Sequence, residues 1–255
     1  FAVEIYRDAG NLHEAIALAS AQRDEASAAG ASQQVHRALL QLAALHAALG
    51  DVDAAKRWFT EAEKAAGVDK DVSFARDIAV ERGRWLLQGL GQPKQALPLL
   101  QSALRGHEQA GSRRMAAEVG VLVAEAQLAL GLAAEASQTA AKAEQLAVAT
   151  GWMVPATQAA RLLALASPVP ADAQAAAARA LERAQRQGWP AALALAWHAS
   201  AMTQTRSGQG AEALNAFAQA VQWAVREAMG QTGASLGLGQ RREREQLWAD
   251  AVGTA

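Results

Sequence analysis

The chain has no cysteine. Disulfides, thiol catalysis and cysteine-based metal sites are excluded with it, and the composition suits a reducing compartment, so a cytoplasmic location is expected. Aromatic residues are only 5% of the 255, so small aliphatic contacts must carry most of the packing. Neither sign of charge dominates: 24 basic residues stand against 25 acidic ones, for a net charge of −1. Nucleic-acid binding draws its affinity from a basic footprint, so no nucleic-acid contact is expected. A polybasic membrane patch is missing too, and no run of about 18 apolar residues is free of charge, so no membrane span is expected. Strand signals are scarce, with no long β-branched alternation and no Asn-Gly hairpin turn.

What the sequence does have is alanine in rhythm. The stretch Gly50-Asp-Val-Asp-Ala-Ala-Lys-Arg-Trp-Phe-Thr-Glu-Ala62 places Ala55, Phe59 and Ala62 five, nine and twelve residues after a glycine. Helical spacing puts the three on one face. The phrase returns from Gly91 (Ala96, Leu100, Ala103), Gly131 (Ala136, Ala140, Ala143), Pro168 (Ala173, Ala177, Ala180) and Gly208 (Ala213, Phe217, Ala220), and Gly10 has Ala15 at the first position. The anchors at 10, 50, 91, 131, 168 and 208 are separated by steps of 40, 41, 40, 37 and 40 residues. Helix–turn–helix units recurring at a fixed period indicate a solenoid, in which each unit exposes an apolar face that its neighbour covers.

Breakers divide the pattern into helices. Gly10, Gly30, Gly50, Gly67, Gly91, Gly131, Gly151 and Gly208 read as stops, Ser32 as an N-cap, and Pro155 and Pro190 as first-turn residues. The expected fold is an all-α, right-handed solenoid of antiparallel helix pairs over residues 1–230. Residues 231–255 are expected to form a linker and a short amphipathic helix over Arg241–Val252, with Leu247, Trp248 and Val252 on one side, which caps the array or leads to another domain. The chain opens in mid-pattern, so it is expected to be part of something longer.

These residues resemble the tetratricopeptide repeat. Ala43, seven before Gly50, joins Ala55, Phe59 and Ala62 in that family's pattern; Ala201, Ala213, Phe217 and Ala220 do so around Gly208, with Trp197 at the family's aromatic position; Ala124, Ala136 and Ala143 do so around Gly131. The usual period is roughly 34 residues, shorter than the step seen here. Arg84 and Arg161 stand where two units should have a small residue, and the family's tyrosine position carries His46, Leu87, Gln127, Ala164 and Gln204. The longer repeat is similar to the sensor arms of large bacterial regulators, such as maltose-type and LuxR-type activators and signalling ATPases.

The resemblance implies a concave groove lined by the first helix of each pair, at positions ten and six before each turn. These are Leu40 and Ala44, Glu81 and Trp85, Val121 and Glu125, Gln158 and Leu162, His198 and Met202; Gln88 and Thr205 add a position nearer the turn. Glu81, Trp85, Glu118 and Glu125 make the middle acidic and aromatic, which suits a protein or peptide with a basic or amphipathic face. The candidate binding residues are therefore Glu81, Trp85, Gln88, Glu118, Glu125, Gln158, His198 and Met202. A tryptophan at helical spacing also serves as core, and paired glutamates also serve as a solvated face. No lysine or asparagine occupies the ten positions, so a carboxylate clamp of the kind used by chaperone-binding relatives is not expected.

The sequence offers little for catalysis. His13, His36, His46, His107 and His198 form no metal-binding pair, Gly237-Leu-Gly239 lacks the context of a phosphate loop, and no serine sits in a nucleophile elbow. No cofactor, metal or enzymatic activity is expected. Gln240-Arg-Arg-Glu-Arg-Glu-Gln-Leu247 resembles the opening of a LuxR-type helix-turn-helix. The reading is a non-enzymatic interaction or effector-sensing domain, with a small-molecule inducer pocket or an oligomerisation scaffold as alternatives.

Overall fold

Alanine sets the spacing between helices. Every residue of the repeated phrase, from Ala15 through Ala55, Phe59 and Ala62 to Ala213, Phe217 and Ala220, is buried. A methyl side chain lets two helix backbones approach closely, and the positions 5, 9 and 12 residues beyond each anchor carry that contact along the second helix of each pair. The structure, a computed structural model, describes residues 2–8, 10–230 and 249–250. Their secondary structure is entirely helical: α1 (Ala2–Asp8), α2 (Leu12–Ala28), α3 (Ser32–Leu49), α4 (Val52–Asp69), α5 (Val72–Arg84), α6 (Pro93–Gln109), α7 (Arg113–Ala129), α8 (Ala133–Ala149), α9 (Met153–Ala166), α10 (Pro170–Gln187), α11 (Pro190–Arg206) and α12 (Gly210–Gly230). Adjacent helices pack successively through α1–α5 and through α7–α12, a solenoid-like arrangement within each run. Among the described residues no helix is long and apolar enough to cross a membrane. Of the helix expected over Arg241–Val252, only Ala249 and Asp250 are described, and both are helical.

Two compact units emerge, one over residues 2–103 and one over 104–230 with 249–250, the boundary falling inside α6. In the first unit, α1 to α5 pack in order, and α3 also touches α5. In the second, α7 to α12 pack in order, α7 touches α9, and α9 touches α11. The first helices of successive pairs thus lie side by side.

Most expected stops hold. Gly50 takes φ 84° at the end of α3, where a β-carbon would be strained. Gly67 does not stop α4, which continues to Asp69 and ends at Lys70 with φ 52°. The start of α5 explains the extension: the Asp71 side chain accepts from the Phe74 amide at 2.9 Å, fixing the next N-terminus. Ser32 is the first residue of α3; Ala31 occupies the cap position.

Two helices depart from the forty-residue rhythm, and both departures are shifts of register. In α3, α7 and α11 the residue seven before the turn glycine is a buried alanine (Ala43, Ala124, Ala201), and the next residue (Ala44, Glu125, Met202) is half-buried. In α5 that buried–half-buried pair is Gly83 and Arg84, one residue early. The extra residue of the 41-residue step is taken up by a π-helical turn, Trp85–Gly89, directly after α5. In α9 the pair is Ala164 and Leu165, three residues late. Ala164 packs with Ala176, Ala177 and Ala199, much as Ala124 packs with Ala140 and Ala143. The three residues missing from the 37-residue step are therefore missing at the end of α9.

Shortening α9 leaves its last carbonyls without a glycine turn. Arg206, at the end of α11, meets them: its guanidinium donates to the carbonyls of Ala164, Leu165 (3.0 Å) and Ser167 (3.4 Å). A cationic side chain at a helix C-terminus satisfies orphan carbonyls and opposes the helix dipole. Because Arg206 is exposed, Arg206→Ala is expected to cost only about 1 kcal/mol by urea unfolding. Hydrogen exchange should accelerate at the end of α9 while α7 and α8 are unchanged.

Candidate functional site

Register decides which side chains the first helices present. In the second unit the corrected frame gives three rows across α7, α9 and α11. One row holds Glu118, Gln158 and Leu195; the next holds Val121, Arg161 and His198; the third holds Glu125, Leu165 and Met202. Val121 shares a buried cluster with Leu162, which ties this side of α7 to α9. Val121 and His198 are buried, Gln158 is exposed, and the other six are half-buried. The face is acidic along α7, basic at Arg161 on α9, and apolar along α11.

The sequence candidates fall into two groups. Glu125, His198 and Met202 keep the positions six and ten before the turn that counting back from Gly131 and Gly208 gives them, and Glu118 lies three residues before Val121 on the same helix. Gln158 belongs in the row of Glu118, not that of Val121, because α9 is three residues short. Counting from Pro168 passes over Arg161, which fills the position ten before in the corrected frame.

In the first unit, Trp85 is corrected by the π turn. It is only 7% exposed and its ring stacks on Phe59, centroids 5.5 Å apart and planes 27° from parallel. Gly89 lies so close that a β-carbon there would sit 2.8 Å from the indole Cδ1. The half-buried neighbour Arg84 takes the position assigned to Trp85, and buried Val80 the one assigned to Glu81. Glu81 is half-buried and 3.7 Å from Arg84, and Gln88 is half-buried within the π turn. The helical period alone gave no signal for this, but Arg84 at a small-residue position beside Gly83 was a clue to the slip.

The likeness to known proteins lies in the fold. No family model matches the chain, and no curated protein sequence does. Among solved structures it is similar to the crystal structure of BtubC (BKLC) from P. vanneervenii, with a TM-score of 0.69 and 19% sequence identity over 87% of this chain and 93% of that one. At that identity the match establishes a shared all-α architecture.

Charged groups also hold helices together. Glu144 on α8, with a side chain only 11% exposed, accepts from Arg179 Nε and Nη2, each at 2.9 Å, and from Arg183 Nη1 at 2.7 Å, both on α10. Arg183 also donates to the Ala156 carbonyl of α9 at 3.0 Å. Burial pushes the Glu144 carboxyl up, but the hydrogen bonds and charges of the two arginines outweigh it and hold it below the ordinary glutamate value. Lys142 on α8 reaches Glu108 on α6 at 2.6 Å. In the first unit His36 stacks on Phe74 at 3.9 Å, with its ring nitrogens 2.9 Å from Asp69 and 3.6 Å from Asp71. That arrangement joins α3 to the α4–α5 turn. Among the described residues no group of three or more potential metal ligands converges.

Proposed function

We propose that this chain is a non-enzymatic interaction module, the sensing arm of a larger bacterial signalling or transcription regulator, and that it recognises a protein or peptide on the first-helix face. The observation that carries this reading is the row arrangement on α7, α9 and α11. In an array whose interior is mostly alanine, that face carries Glu118, Glu125, Arg161, Leu165 and Met202 on three first helices, of which α9 touches both α7 and α11. A graded acidic, basic and apolar surface suits an amphipathic or extended segment, which is read by a few anchors.

The test is charge reversal on a partner captured with the wild-type chain and identified. Glu125→Lys and Arg161→Glu are each expected to weaken binding by about tenfold, the scale of losing one charged contact. Trp85→Phe, which alters the core, should leave affinity within about twofold. Unchanged binding by both charge-reversed chains would remove the face as the recognition surface.

A further inference from the structure

One contact on this face comes from far along the chain. His198 Nε2 lies 2.7 Å from Asp250 Oδ2, across 52 positions of sequence. Both side chains are largely sheltered, at 10% and 21% exposure. Phe217 on α12 is an edge-to-face neighbour of the imidazole, with ring centroids 6.1 Å apart. His198 occupies the middle row of the face, and the next row on α11 is half-buried Met202. A buried imidazole N–H aimed at a carboxylate beside an apolar side chain is a small recognition site for an acidic residue on an amphipathic segment.

We infer that the α11 end of the first-helix face is a docking site for a helical segment bearing a carboxylate, and that its occupant is the chain's own C-terminal segment around Ala249–Asp250. This rests on the interaction reading above and deepens it. An outside partner using the α11 end must displace Asp250 from His198, so its measured affinity is lowered by the stability of the internal contact. Partners anchored only on α7 and α9 carry no such handicap.

The test uses the full chain and a labelled synthetic peptide of residues 241–255. Asp250→Lys places a cation at His198 and should open the site. The D250K chain is then expected to bind the peptide about tenfold more tightly than wild type, and His198→Ala in the D250K background should abolish the gain. A peptide carrying Asp250→Ala should bind neither chain well. His198→Gln, which keeps an N–H donor and much of the volume, guards against a fold defect: with an unchanged circular dichroism melt, it should retain more binding than His198→Ala. Equal binding by wild type and D250K, or a D250K gain indifferent to His198, would overturn the proposal. Either result leaves the partner test with Glu125→Lys and Arg161→Glu intact, so the two failures are distinguishable.

Discussion

Phe59→Ala is expected to destabilise the first unit by about 3–5 kcal/mol, the usual cost of emptying a fully buried phenylalanine site. Phe59 is 1% exposed and is the large residue of a phrase whose other members are alanines. Its neighbours have little means of closing the gap. Ala55 and Ala62 have no side-chain freedom, and Trp85 is fixed by the π turn and by close contact with Gly89. Phe59→Leu, which keeps most of the volume, should cost about 1 kcal/mol. Urea unfolding with hydrogen exchange resolved by helix measures both, because loss should appear first in α4 and the turn after α5. Loss below about 1 kcal/mol for the alanine variant would show that the π turn gives way and Trp85 moves in.

Glu144→Ala is expected to cost the second unit about 2–3 kcal/mol, since it leaves Arg179 and Arg183 beside one another without their shared acceptor. The cost stays under that of a fully buried pair because the Arg179 side chain is 40% exposed. The pH dependence separates this from simple loss of packing. The folded Glu144 carboxyl titrates below its ordinary value of 4.5. Its contribution is therefore complete above that value and is lost as pH falls through the lower folded value. Asp51 adds in the same direction: its carboxyl is held below 3.8, first by the Ala54 amide. Wild type should lose stability on acidification in that window, and Glu144→Gln should lose less. Parallel pH profiles for the two chains would rule out the ion pair as the source.

The architecture was legible in the sequence because its cause is local. Glycine and proline punctuate the helices, and alanine recurs where helices touch, so counting from Gly50, Gly131 or Gly208 finds both helices and core. The face was only half legible. Glu125, His198 and Met202 keep the helix positions that the same count gives, whereas Trp85, Glu81 and Gln158 do not, because the anchors at Gly91 and Pro168 follow helices of altered length. The two arginines at small-residue positions were the visible trace of those shifts; their resolution depended on which neighbour was buried. The Glu144 bond to Arg179 and Arg183 spans 35 and 39 residues and leaves no mark in either helix's own period. Nor does the pairing of His198 with Asp250, which only tertiary structure brings together.

The two frame slips also bear on how such an array could be lengthened. Residues 168–207 make a complete block of one second helix and one first helix, in frame with their own turns. A block cut from 50–90 carries a surplus residue that has to be wound into a π turn, and it would bring the Phe59–Trp85 stack with it. A block cut from 131–167 ends three residues early and would need its own copy of Arg206 from the block that follows. Duplicating units here is accordingly a matter of choosing splice points by the fate of the last helical turn. Forty-residue arithmetic alone would graft one block with its outward-facing side chains turned into the wall.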